Sequence, residues 1–227
     1  MRDLVKWLLG DPAQRTQSFL RSLERRRVEA VVETLPAWVE PVHLSVVGAA
    51  GAALAAAALI ASHNWPGAVL FLPLAMTINW FGLSVDLPLA RRRGAEFPTE
   101  GMVHHLCELF SHLLIILAYG FSPFLSMRSA TIIIVCYLLF SSYGYIRAAT
   151  RHVEQMAYIG IGVTEFRVLL AAWPFAAMAL GIPQTLGERL PPIDVAIMAL
   201  AGMAVIGLIA KLFLDGRKMA ATARGDD

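Results

Sequence analysis

The sequence predicts an all-α integral membrane protein of six transmembrane helices preceded by an amphipathic N-terminal helix. Three observations predict it. Of the 227 residues, 57% are hydrophobic and only 16% charged, with a mean hydropathy of +0.61. A soluble domain runs nearer half apolar and about a quarter charged. Six apolar runs, at about 44–62, 67–89, 102–121, 129–149, 163–181 and 192–214, each approach the roughly 20 residues that a bilayer-spanning helix needs. The connections between them alternate between arginine-rich and nearly uncharged.

Residues 1–36 read as a cytoplasmic amphipathic helix broken at Gly10–Pro12. Leu4, Trp7 and Leu8 form the apolar face of its first piece, and Phe19, Leu23, Val28 and Val32 continue one in the second. With Arg21, Arg25, Arg26 and Arg27 alongside, such a segment rests on the inner membrane surface, held by apolar burial and anionic headgroups. The alternative is an arm packed on a neighbouring subunit. No apolar core here is closed by a small-residue cleavage site, so no signal peptide is expected and the first span doubles as the targeting signal.

Residues 37–215 form the six-span domain. The first span is alanine-rich (VVGAAGAALAAAALIAS), which suits close helix packing more than lipid contact. The second carries Asn79 and Asp86, and the third opens with the polar cluster GMVHHLCELFSHL. Arg147, Arg151 and His152 follow the fourth, Thr164, Glu165 and Arg167 open the fifth, and Lys211, Arg217 and Lys218 end the sixth, ahead of a tail at 216–227. The loops SHNWPG, GFSPFLSMRS and GIPQTLGERLPP hold only Arg128 and Arg189 as basic residues. The positive-inside rule therefore puts both termini in the cytoplasm, as an even number of spans requires. A bacterial-type inner membrane is the expected location.

Cys107 and Cys136 lie inside apolar runs and read as small buried residues, not a disulfide. There is no phosphate-binding Walker loop, no dinucleotide glycine fingerprint and no internal repeat, and nothing indicates nucleic acid as a partner. Membrane lipids are the expected surroundings and partners. Met102, Met156 and the scattered aromatics read as packing or interface residues, and His43 carries no assigned chemistry.

Ionisable residues in membrane helices cost about 2.5–3.5 kcal/mol each on insertion scales and face a cavity or one another. Asp86, Arg91, His104, His105, Glu108, His112, Glu165 and Arg167 all fall at the cytoplasmic ends of spans two, three and five. They are expected to surround one cytoplasm-facing cavity.

The stretch NWFGLSVDLPLARRRGAEFPTEGMVHHLCEL resembles the signature of the CDP-alcohol phosphatidyltransferases, D-x-x-D-G-x-x-A-R, a spacer of about eight, then G-x-x-x-D-x-x-x-D. LPAWVEPVHLSVVG resembles the family's Pro-x-x-Leu-Thr lead into the first span, and GIGVTEFRVLLA its G-x-G-P-T-E-x-R segment before the fifth. The likeness covers roughly residues 35–181. It implies the six-span fold, a homodimer, and a reaction that moves a phosphoalcohol between a CDP-linked donor and an alcohol. It also implies two Mg or Mn ions held by four aspartates against the diphosphate, the last aspartate serving as base. Substrate-binding positions carried over by the resemblance are Asp86, Ala90, Arg91, Gly101, Arg147, Arg151, Glu165 and Arg167. Arg147 and Arg151 then hold a phosphorylated acceptor or act only as a positive-inside anchor, and Glu165 with Arg167 forms a structural or ligand-orienting pair.

The register matters. Laying Ala90 and Arg91 on the family's Ala-Arg puts Asp86 on the second aspartate, Leu83 on the first and Leu87 on the glycine. Gly101 takes the second glycine, His105 the third aspartate and Leu109 the fourth. One carboxylate of four remains, and leucine offers neither a hard oxygen ligand nor a base. Leu87 and Pro88 also crowd and stiffen the turn where glycine lets a nucleotide approach.

A catalytically degenerate member that keeps a lipid or nucleotide cavity is the expected function. The alternatives are an active transferase with an altered metal site, and a structural or regulatory subunit. At about 100° per residue, His105, Glu108 and His112 share a sector of roughly 60°, with His104 pointing elsewhere. Together with Asp86 they have the composition of a zinc, manganese or iron site. The same side chains also read as cross-helix hydrogen-bonders to Asp86, Ser111 or backbone carbonyls, or as leaving His105 a lone catalytic residue.

Overall fold

The protein is described by a computed structural model covering residues 21–94, 97–151, 163–185 and 191–224. The expected first piece of the amphipathic helix, His152 and Met156 lie outside the described residues. Among those residues the chain is helical without strands: α1 (Arg21–Thr34), α2 (Pro41–Ala61), α3 (Leu72–Arg92), α4 (Phe97–Gly120), α5 (Met127–Arg151), α6 (Val163–Ala179), the single turn α7 (Ile182–Thr185) and α8 (Pro192–Arg224). A 3₁₀ segment, Pro66–Phe71, leads into α3.

Five helical stretches are long and apolar enough to cross a membrane, as a multi-pass membrane protein requires: Pro41–Ala61, Pro66–Arg92, Gly101–Gly120, Met127–Ile146 and Pro192–Arg217. The fifth apolar run forms the helix α6, whose described length of 17 residues is about 25 Å at 1.5 Å per residue against a bilayer core of about 30 Å. Gly181 ends it with φ at 69°, a left-handed conformation suited to glycine just past a helix. At the other end of the chain, α8 continues past the expected limit of the last span, through the tail, to Arg224.

Small residues set the tightest contact. A β-carbon added to Gly82 would lie 2.3 Å from the Gly48 nitrogen and 2.4 Å from the Leu44 carbonyl oxygen. One on Gly51 would lie 2.4 Å from the Asn79 nitrogen. The α2 and α3 backbones therefore touch, as the alanine and glycine content of the first span led one to expect. Asn79 crosses the seam, its Nδ2 donating to the Gly48 carbonyl at 2.8 Å. The start of α2 is capped reciprocally: the His43 backbone N–H donates to the Glu40 carbonyl at 3.0 Å, and the Glu40 N–H to His43 Nδ1 at 3.0 Å. His43 is thus a capping residue.

The main core joins Ala55 and Leu59 in the second half of α2, Leu72 at the start of α3, and Ile115, Ile116 and Tyr119 near the end of α4. Tyr119 donates its hydroxyl proton to the Leu170 carbonyl, tying α4 to α6. The expected apolar face of the N-terminal helix forms, but it buries protein surface: Val28 and Val32 pack with Leu44, Val85 and Leu89. Glu24 secures it, accepting from Trp80 Nε1, Ser84 Oγ and Thr164 Oγ1, each at 2.7 Å. By contrast α8 is mostly exposed and is held near its ends. Asp194 accepts from Ser126 Oγ at 2.5 Å and Ser129 Oγ at 2.6 Å, and Tyr143 donates to Asp215.

Candidate functional site

Asp86 is buried at the α2–α3–α4 junction, and its carboxylate is fully engaged. Ser45 Oγ donates to Oδ2 at 2.8 Å, the Leu87 N–H donates to Oδ1 at 2.7 Å, and His104 Nδ1 lies 2.9 Å from both oxygens. A carboxylate only accepts, so Nδ1 carries the proton and donates. The partner of Asp86 is therefore His104, the histidine that the helical wheel turned away, and not His105 or His112. Its position follows from α4 itself. His104 and Glu108 stand four residues apart, hence on one face, a relation hidden when angles are measured from His105.

The rest of the cluster fans out around α4. His105 meets the ring of Tyr145 edge-on at 5.7 Å between centroids and that of His104 at 5.2 Å. Glu108 pairs with Arg167 of α6, Nη2 to Oε1 at 2.9 Å, with both side chains largely buried. His112 is fully buried, bonded through Nδ1 to the Tyr137 hydroxyl at 2.9 Å and set beside the Phe166 ring. Its Nε2 has no hydrogen-bond partner among the described residues. The four residues read as one metal set, Asp86, His105, Glu108 and His112, are thus divided among separate partners. The set with ligand atoms all within 4.8 Å of one another is His104, His105 and Glu108.

The other carried-over positions are more scattered. Ala90 is buried, Arg91 is exposed, and Gly101 is buried with open space where a β-carbon would stand. Glu165 is half-buried, and Arg167 pairs with Glu108. Arg147 and Arg151 belong to α5, but their side chains lie outside the described residues.

One cavity shares only Arg167 with the residues expected to surround one. A space of about 520 Å³ opens between α3 and α6, walled by Met76, Trp80, Val168, Ala171 and Phe175, with Arg27 and Arg167 among its polar lining. Arg167 lines this space while it holds Glu108, and its Nε is buried with no partner among the described residues. Asp86 does not line it. Sequence reasoning missed both this cavity and Glu24 as the anchor at its edge. An acidic residue set among the arginines of an amphipathic helix was the available signal.

Two magnesium ions on a diphosphate do not fit these residues. Leu83, in the place of the first aspartate, is buried against Gly48, and the one surviving carboxylate already binds three donors. Hard cations need several oxygens free to coordinate. The chain matches no protein-family model, no curated protein and no solved structure.

Proposed function

We propose that this is a six-span membrane protein of the CDP-alcohol phosphatidyltransferase plan that has lost phosphoalcohol transfer and binds an anionic membrane lipid between α3 and α6. The carrying observation is the division of labour on α3: Asp86 is consumed by Ser45, His104 and the Leu87 N–H, while an apolar space with Arg27 and Arg167 in its lining opens elsewhere. Apolar walls suit acyl chains, and the guanidinium groups suit a phosphate bidentately. Both termini are cytoplasmic in an inner membrane in this reading, supported by the arginine run Arg91, Arg92 and Arg93, of which Arg92 pairs with Glu33 of α1 at 3.9 Å. In this reading the α6 segment, at Val163–Ala179, supplies the remaining span.

The test is direct. Purified protein supplied with CDP-diacylglycerol, an alcohol acceptor and Mg²⁺ or Mn²⁺ is expected to release no CMP, while anionic phospholipid co-purifies with it. Metal-dependent CMP release that Asp86→Asn abolishes would replace this reading with that of an active transferase. Reporter fusions at the two termini check the topology, and opposite sides of the membrane for the two would exclude six spans.

A further inference from the structure

We propose that His104, His105 and Glu108 form a binding site for a zinc-class divalent ion, with Asp86 as the residue that orients it. The site stands on its own geometry and does not depend on the lipid reading. One ring nitrogen of each histidine and a carboxylate oxygen of Glu108 lie within 4.8 Å of one another. Ligands about 2.0–2.1 Å from a tetrahedral ion lie about 3.3 Å apart, and side-chain rotations close that gap. Two imidazoles and one carboxylate leave a fourth position open, and imidazole donors turn the preference away from magnesium and calcium.

What lifts the cluster above a coincidence of polar side chains is its support. Metal-binding histidines characteristically donate their second ring N–H to a carboxylate, which fixes the tautomer and the direction of the remaining nitrogen. His104 does this: Nδ1 donates to Asp86 at 2.9 Å, leaving Nε2 as the metal donor. Asp86 is itself held by Ser45 and the Leu87 N–H. Glu108 is steadied in the same way, because Arg167 takes Oε1 and leaves the second oxygen for the ion. The Tyr145 ring packs against His105 in a T-shaped contact. The surviving aspartate thereby becomes a positioning residue, one bond removed from the ion.

The full chain, purified without a histidine tag and stripped by chelator, is titrated with Co²⁺ and separately reconstituted with Zn²⁺. One Zn²⁺ per chain and a visible Co²⁺ absorption of four- or five-coordinate type are expected. His105→Gln and Glu108→Gln should lose the stoichiometric ion, whereas His43→Ala and His63→Ala should keep it. Asp86→Asn should bind about 10–100-fold more weakly with the same Co²⁺ band at saturation, a signature that general loosening of the fold does not give. Absence of a stoichiometric ion on the unaltered chain, or full retention of it in His105→Gln, overturns the site.

Discussion

The two faces of α3 do opposite things with the same backbone. Toward α2 it presents Ala75, Asn79, Gly82 and Asp86, and the helices close until backbone meets backbone. Toward α6 it presents Pro73, Thr77 and Trp80, and about 520 Å³ stays open. Side-chain size sets the difference. Without β-carbons the helices approach and polar groups find backbone partners, while bulky rings and stems prop their neighbours apart. The lesson is that the charged residue most visible in the sequence, Asp86, belongs to the closed face, and the open space belongs to the other.

Substitutions test this contrast, the strongest on the closed seam. Gly82→Leu puts a side chain onto the Gly48 nitrogen and the Leu44 oxygen, and no flexible group is there to give way. It is expected to cost more than about 3 kcal/mol and to abolish monodisperse protein on gel filtration. A comparable loss from Thr77→Leu, on the open face, would remove the distinction.

Arg167→Met leaves Glu108 buried without its cation, at an expected cost of about 3–5 kcal/mol, read as a lowered thermal midpoint in detergent. The double variant Arg167→Met/Glu108→Leu should recover most of it, since an apolar pair of similar volume replaces a buried ion pair at little cost. Failure of the double variant to recover would mean that Arg167 stabilises the fold mainly through other contacts.

Asn79→Ala removes the bond to the Gly48 carbonyl and is expected to cost about 1–3 kcal/mol. Ser84→Ala, at the edge of the open face, removes one of three donors to Glu24 and should cost about 1 kcal/mol. A reversed order for this pair, by thermal unfolding, would show that the anchor of α1 matters more than the seam.

Much of the architecture was legible because hydropathy and length report on bilayer solvation directly. The five long apolar helices and the close packing of the alanine-rich span follow from that. The site was less legible, for physical reasons. Which side of α4 faces Asp86 depends on its rotation against α3, and a helical wheel drawn from His105 carries no such information; His104 was lost there. Glu165 and Arg167 are neighbours in the chain, yet Arg167 bonds Glu108 on another helix. The cavity depends on the spacing of α3 and α6, which no local pattern encodes. The face of α1 was read correctly at Val28 and Val32, but its partner was read as the membrane surface or a neighbouring subunit, and Val28 and Val32 pack on α2 and α3 of the same chain.

In the proposed reading the lipid lies between α3 and α6 and not beside Asp86. Native mass spectrometry of the protein extracted in mild detergent tests it most directly, by counting bound phospholipid. Val168→Trp, which places a ring in the cavity wall, should remove the bound lipid, whereas Asp86→Asn should keep it. Lipid retained in Val168→Trp and lost in Asp86→Asn would contradict the account.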